Sequence, residues 1–308
     1  MRAARVGLRN VAALLLSISA IVALQGQTAP PTPQAAVDEL LDADRRASVA
    51  AAASSNVVIG LLPMFSDDIV MPVPGNRFAR GKAEVETALA SNADNLRSRV
   101  QWAPIRGGIS ADGQHGFTFG YMTLRRDDKT EIPMKYLAYW IRQSAGWRVA
   151  VYKRVRRADG VVSTPLLPAA LPPRMMAPAR DSSLVSKHRD SLAQAERAFS
   201  AEAQKIGLGP AFATWGSVDA MNLGPPTAAT FIFGAASIGT SVQGDAPPGT
   251  SPVSWAPDTV LIASSGDLGV SIGMIRPNKP APNQPAGFPF FTIWRRATPA
   301  DPWRYVAE

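Results

Sequence analysis

Val100-Gln-Trp-Ala-Pro104, Gly116-Phe-Thr-Phe-Gly120, Tyr139-Trp140 and Gly146-Trp147-Arg148 return half a chain later, in the same order, as Val253-Ser-Trp-Ala-Pro257, Gly269-Val-Ser-Ile-Gly273, Ile293-Trp294 and Pro302-Trp303-Arg304. Trp102 to Trp255 and Gly116 to Gly269 are both shifts of 153, so no gap separates the first two blocks. Trp140 to Trp294 is 154 and Trp147 to Trp303 is 156, drifts of a size that hairpin loops absorb. A period near 150 in a chain of 308 residues is an internal duplication, each copy having the length of an ordinary domain.

Around these blocks the first copy has strand character throughout: segments 99–105, 116–125, 132–143 and 147–156, separated by Asp-Gly, Arg-Asp-Asp-Lys and Ser-Ala-Gly turns. Upstream, Val37, Leu40, Leu41 and Val49 recur at helical spacing over 34–54. A second short helix is expected over 57–65, and Gly81-Lys-Ala-Glu-Val85 opens a third. Between them, 67–71 reads as a brief strand halted by Pro72, Pro74 and Gly75. The second copy restarts with a helix over 183–206 stopped by Gly207, and Pro210 suits a first helical turn. Asp219-Ala-Met221 resumes the short strand, and Gly234-Ala-Ala-Ser-Ile238 stands where the first copy has Gly81-Lys-Ala-Glu-Val85. Strands then follow near 253–263, 268–275, 288–296 and 303–306. Residues 158–183 hold Pro165, Pro168, Pro172, Pro173 and Pro178 without periodicity, a proline-rich linker expected to let the copies meet in many orientations.

Composition narrows the chemistry. Cysteine is absent, which removes disulfides, thiolate metal ligation and a cysteine nucleophile. The two histidines, His115 and His188, occupy unrelated places in the copies, so no metal site and no cofactor are expected. Gly234 to Thr240 resembles a phosphate loop until Thr240, which stands where the phosphate-reaching lysine is required. Gly269-Val-Ser-Ile-Gly273 matches a nucleophile elbow in letters only: it falls inside a strand, and no histidine follows Ser271. Of the net charge of +8, residues 35–157 carry a surplus of five and 184–308 none. The basic run Lys153-Arg154-Val155-Arg156-Arg157 reads as a solvated strand end, so nucleic acid is not an expected partner. Met1 to Gln27 has a basic start, an apolar stretch over 11–24 and small residues beyond it, the layout of a signal peptide over 1–27. The protein is therefore expected to be exported, periplasmic or secreted, with no stable membrane insertion after leader removal. The apolar stretch is shorter than the roughly 20 residues of a spanning helix.

Three helices with a short strand among them, followed by a four-strand meander, resemble the nuclear-transport-factor-2-like fold, in its bacterial branch of SnoaL-like cyclases and ketosteroid isomerases. The residues that carry the resemblance are Asp68 and Asp219 opening the first strand, Gly81 and Gly234 opening the third helix, and the closing tryptophan hairpins, over 35–157 and 184–308. The resemblance implies an α+β fold of two cone-shaped repeats, each with three helices packed in a strongly curved, mainly antiparallel sheet. It also implies that an open cone takes a small apolar molecule, and that an enzyme of this kind uses a carboxylate or histidine inside the cone.

Asp68 and His115 are the candidate proton acceptors; against this, Asp68 and Asp219 also read as carboxylates holding backbone at a strand edge. Tyr121, Lys135 and Tyr139 are the candidate ligand-binding residues, because their second-copy counterparts are mostly apolar and Lys135, Leu137, Tyr139 and Ile141 share one strand face. Three functions follow as expectations. The first is an exported binding protein whose first cone takes a small, partly apolar molecule while the second is structural. The second is an isomerase, dehydratase or cyclase, and the third a structural or protein-interaction molecule. Residues 136–141 are apolar on both strand faces, and Phe290-Phe291 repeats the behaviour, so both faces of each sheet must be covered. That predicts an intramolecular pseudo-dimer with Trp140 or Tyr139 and Phe290 or Phe291 near the contact.

Overall fold

The computed structural model describes residues 31–282 and 285–308; the leader expected over 1–27 lies outside them. In the first repeat, Thr32 caps α1 (Pro33–Ala52) by accepting the Ala35 N–H, and Pro33 occupies its first turn. Val37, Leu40, Leu41, Asp44 and Ser48 form the buried stripe of that helix. There follow α2 (Val57–Leu61), the hairpin of β1 (Phe65–Val73) and β2 (Arg77–Arg80), α3 (Gly81–Ala90) and α4 (Ala93–Arg97). The meander is β3 (Ser98–Ile109), β4 (His115–Arg126), β5 (Glu131–Gln143) and β6 (Gly146–Arg156). One-turn α4 is absent from the sequence reading, being too short for a periodicity signal. Asn92 caps it, and buried Asn95 ties it back to the Leu89 carbonyl.

The second repeat runs α5 (Ser182–Ile206), α6 (Leu208–Trp215), β7 (Gly216–Asn222), β8 (Ile232–Phe233) and α7 (Ala235–Gln243). Its meander is β9 (Val253–Ile262), β10 (Leu268–Pro277), β11 (Phe288–Arg295) and β12 (Arg304–Ala307). Each repeat builds its own six-stranded sheet, in the orders β2-β1-β6-β5-β4-β3 and β8-β7-β12-β11-β10-β9. In both, the first long strand meets the last in parallel and every other pairing is antiparallel. The α+β class with two cone-shaped repeats is thus the architecture observed.

The quoted motifs build the curvature. Pro104 faces Gly120 and Pro257 faces Gly273, and at both places the register slips by a residue. A β-carbon on Gly120 or Gly273 would collide with the carbonyl of Ala103 or Ala256, so each glycine admits the close approach on which the sheet bends. Proline opposite it has no N–H to lose from the ladder.

Alternation along β5 now has a meaning on both faces. Tyr136, Ala138 and Trp140 enter the first repeat's own core with α1, whereas Leu137 and Tyr139 enter a separate buried cluster that also contains Val270, Ile272, Phe291 and Ile293 of the second repeat. Trp140 and Phe290 belong to the cores of their own repeats, and Tyr139 and Phe291 to the shared cluster. The rings of Phe119 and Tyr121 sit 5.2 and 4.9 Å from that of Phe231. Polar contacts edge this cluster: Arg106 pairs with Asp219, Asp112 accepts from Ser264 at 2.8 Å, and Asp267 accepts the Ala111 N–H at 2.9 Å.

The proline-rich segment departs from the expected free linker. Leu167 N–H donates to Ile105 O at 2.7 Å, Ala170 N–H to Gly107 O at 3.0 Å and Met176 N–H to Ala111 O at 2.7 Å. The segment therefore lies along the outer edge of β3, supplying donors to carbonyls that an edge strand leaves open.

A candidate ligand cavity in the second cone

Around Asp44 the interior of the first cone is packed with side chains. From α1, the buried Asp44 carboxylate accepts from Trp102 Nε1 at 2.5 Å and from the Tyr136 hydroxyl at 2.7 Å. Ser48 bonds both backbone groups of Trp102. Tyr152 completes the packing, 5.4 Å from Phe65 and 6.4 Å from Tyr136 between ring centroids. Burial raises the Asp44 carboxyl above the usual aspartate range, with the Tyr136 and Trp102 bonds opposing the rise.

Helix α5 reproduces this device in the second cone. Buried Glu196 accepts from Trp255 Nε1 at 2.6 Å and Trp294 Nε1 at 2.8 Å, and also from the Ser271 hydroxyl. Ser200 accepts the Trp255 N–H. Two fillers are missing, however. The pairings of β6 and β12 with β1 and β7 align Val149 with Tyr305 and Val151 with Ala307, so Glu308 stands where the first cone has Tyr152. The shift of 154 that relates Trp140 to Trp294 likewise puts Phe290 where Tyr136 stands.

The space that results is a cavity of about 280 Å³. Phe199 of α5, Leu208 and Phe212 of α6, Val242 of α7 and Trp255, Ile275 and Phe290 of the sheet make its apolar wall. Lys153, Asn222, Thr292 and Glu308 supply the polar groups, and Lys153 and Val155 come from the first repeat. Glu308 Oε1 accepts from Asn222 Nδ2 at 2.6 Å. Burial pushes the Glu308 carboxyl up to about 7, against the pull of the Asn222 bond and the Lys153 charge. Burial lowers the Lys153 ammonium, and the Glu308 charge opposes that shift. An acid that is part-ionised near neutrality and an amine weakened as a base thus border one aromatic hollow.

None of the candidate catalytic or ligand-binding residues named from sequence (Asp68, His115, Tyr121, Lys135 and Tyr139) lines this cavity. Asp68 is exposed on β1, and Asp219 is held by Arg106. His115 stands 2.8 Å from the Tyr139 hydroxyl at the turn facing the second repeat; burial lowers it to about 4, with Asp112 pulling the other way, so its ring is neutral near pH 7. Tyr121 and Tyr139 belong to the shared cluster, and Lys135 donates to the carbonyls of Ala228 and Thr230 at 3.0 Å each. These three residues face the other repeat, not a cone interior. Strand alternation separates two faces without saying which is concave, and these side chains lie on the face turned to the second repeat. The first repeat has a separate hollow of about 390 Å³ between α1, α2 and the β5–β6 hairpin, lined by none of these three residues. The reading of 153–157 as a solvated end is corrected: Lys153 and Val155 line the second-cone hollow, and Arg154 bonds Asn95 at 2.5 Å.

No known protein-family profile matches the chain, and no curated protein sequence does. Solved structures do. A ketosteroid isomerase-like protein from Erwinia carotovora atroseptica is 18% identical over 41% of this chain and 95% of its own, with a TM-score of 0.29. A nuclear-transport-factor-2-like protein with a cystatin-like fold from Novosphingobium aromaticivorans is 16% identical over 41% and 84%, with a TM-score of 0.28. A conserved protein from Planctomyces limnophilus is 17% identical over 39% and 97%, with a TM-score of 0.30. Two six-stranded sheets fit a tandem arrangement. At these identities the likeness concerns fold alone.

Proposed function

We propose that this is an exported binding protein, led by a signal peptide over 1–27, whose domains 35–157 and 184–308 are joined by the segment 158–183. The ligand is a small, mainly apolar, ring-bearing molecule with an oxygen function, held in the second cone. The observation that carries this reading is the hollow of about 280 Å³ with aromatic walls and a polar set of Lys153, Asn222 and Glu308. Few convergent polar groups in an otherwise apolar concavity are the usual composition of a small-molecule site. The first repeat takes part as the partner in a pseudo-dimer that contributes Lys153 and Val155 to the wall.

A second reading, an isomerase-type enzyme, draws on the Glu308 carboxyl lying up at about 7, where a general base for neutral-pH chemistry is poised. Both readings need the hollow, so the first test fills it. Val242→Trp is expected to weaken binding of the apolar probe 1-anilinonaphthalene-8-sulfonate by about tenfold or more, a loss of about 1.4 kcal/mol. Fluorescence titration checks this, with circular dichroism to confirm that the variant is folded. Unchanged affinity in a folded variant would place the probe elsewhere and overturn the reading.

A further inference from the structure

We propose that Lys153 forms a covalent imine with an aromatic aldehyde or ketone seated in the second cone. This deepens the binding reading above and rests on it. The geometry comes first. Lys153 sits on the outward face of β6, in register with Leu137 of β5, and that face is turned to the second repeat. The lysine is half-buried, and it borders the same hollow as Phe290, Trp255, Asn222 and Glu308. A lysine presented to an apolar hollow, beside a carboxylic acid and a carboxamide, is the arrangement that amine addition to a carbonyl requires.

The other interface lysine provides a contrast. Lys135 is buried and its ammonium is committed to the Ala228 and Thr230 carbonyls, so it is closed to a ligand. Burial also favours the uncharged, nucleophilic form of the Lys153 amine, and the groups that bear on its charge are Glu308 directly and Glu196 through Glu308.

The step balances without an oxidant or reductant. The amine lone pair attacks the carbonyl carbon, a C–N bond forms and the C–O π bond breaks. One nitrogen proton passes by way of Glu308 to the oxygen, giving a carbinolamine. Glu308 in its acid form then protonates the hydroxyl, the C–O bond breaks, water leaves and an iminium remains. Return of the nitrogen proton to the Glu308 carboxylate yields the neutral imine, so amine plus carbonyl compound gives imine plus water. Asn222, bonded to Glu308 at 2.6 Å, holds the carboxyl in place.

The test pairs cinnamaldehyde with cinnamyl alcohol, a molecule of the same shape that lacks the carbonyl. The whole protein is incubated with cinnamaldehyde and sodium cyanoborohydride near pH 7.5, digested and mapped by mass spectrometry. Cinnamyl alcohol binding is followed by calorimetry. The proposal expects Lys153 to be reductively alkylated about ten times faster than the average surface lysine. It expects Glu308→Gln to slow that labelling at saturating cinnamaldehyde, where a loss of affinity no longer limits the rate. Lys153→Arg should abolish the fast phase, with circular dichroism showing that the variant is folded. If the alcohol binds and Lys153 is labelled no faster than surface lysines, the imine is overturned and the binding reading stands. If the alcohol does not bind either, both fall.

Discussion

Replacing Glu196 by alanine is expected to destabilise the protein by about 3–5 kcal/mol, because it strands the buried Trp255 indole N–H and leaves Trp294 and Ser271 only longer bonds, to Ser271 at 3.1 Å and to the Thr292 carbonyl at 3.3 Å. The carboxylate of Glu196 is fully buried and collects the indole N–H groups of Trp255 and Trp294 together with the Ser271 hydroxyl. Those tryptophans also frame Phe199, whose ring lies 4.8 Å from Trp255 and 5.9 Å from Trp294. Loss of the acceptor thus loosens the aromatic wall of the cavity as well. Urea unfolding checks the magnitude. Glu196→Gln separates charge from hydrogen bonding. Burial raises the Glu196 carboxyl above 4.5 in the folded protein, so the unfolded chain releases this proton at lower pH than the folded one does. Its contribution is fully present below 4.5 and is lost as pH rises through the raised folded value. The stability advantage of wild type over Glu196→Gln should therefore shrink as pH rises from 4.5. A difference constant with pH would show that the carboxyl is not shifted upward.

A second large effect is expected at Val270. This side chain is fully buried in the cluster shared by the repeats, and its ladder neighbours are Leu261 and Ile293. Val270→Asp brings a carboxylate there without a counter-ion, a change expected to cost about 3–5 kcal/mol and to lower the melting temperature by about 10 °C or more. Because Leu137, Tyr139 and Phe119 of the first repeat share that cluster, both repeats should lose stability together. Scanning calorimetry reads this as one lowered transition. A first-repeat transition left at its wild-type temperature would mean that the cluster does not couple the two.

Much of this fold was legible because the duplication repeats its own curvature device. Trp-Ala-Pro facing a Gly-x-x-x-Gly strand recurs at a shift of 153, and in both copies it marks the bend. The helices hold a further repeat that passed unread: Ala43-Asp44-Arg45 with Ser48 returns as Ala195-Glu196-Arg197 with Ser200, at a shift of 152. Read against Trp102 and Trp255, it would have pointed to a carboxylate beneath each indole. The cavity itself was not legible. It exists because a tyrosine pair in one copy, Tyr136 and Tyr152, is matched by Phe290 and Glu308 in the other; shifts of 154 and 156 give these matches, but neither shows that the two positions face one hollow. Composition pointed instead to the polar face of β5, where Lys135 and Tyr139 look like ligand groups. Lys135 is held by backbone carbonyls of the other repeat, and Tyr139 by His115 and the cluster shared between the repeats, contacts that no local pattern encodes.

The location of the ligand site is tested most directly by nuclear Overhauser contacts between protein methyl groups and bound 1-anilinonaphthalene-8-sulfonate. Contacts to the methyls of Leu208, Val242 and Ile275, which line the second cone, are the result expected. Contacts confined to Leu89, Val100 and Leu124, which belong to the core of the first repeat, would contradict it.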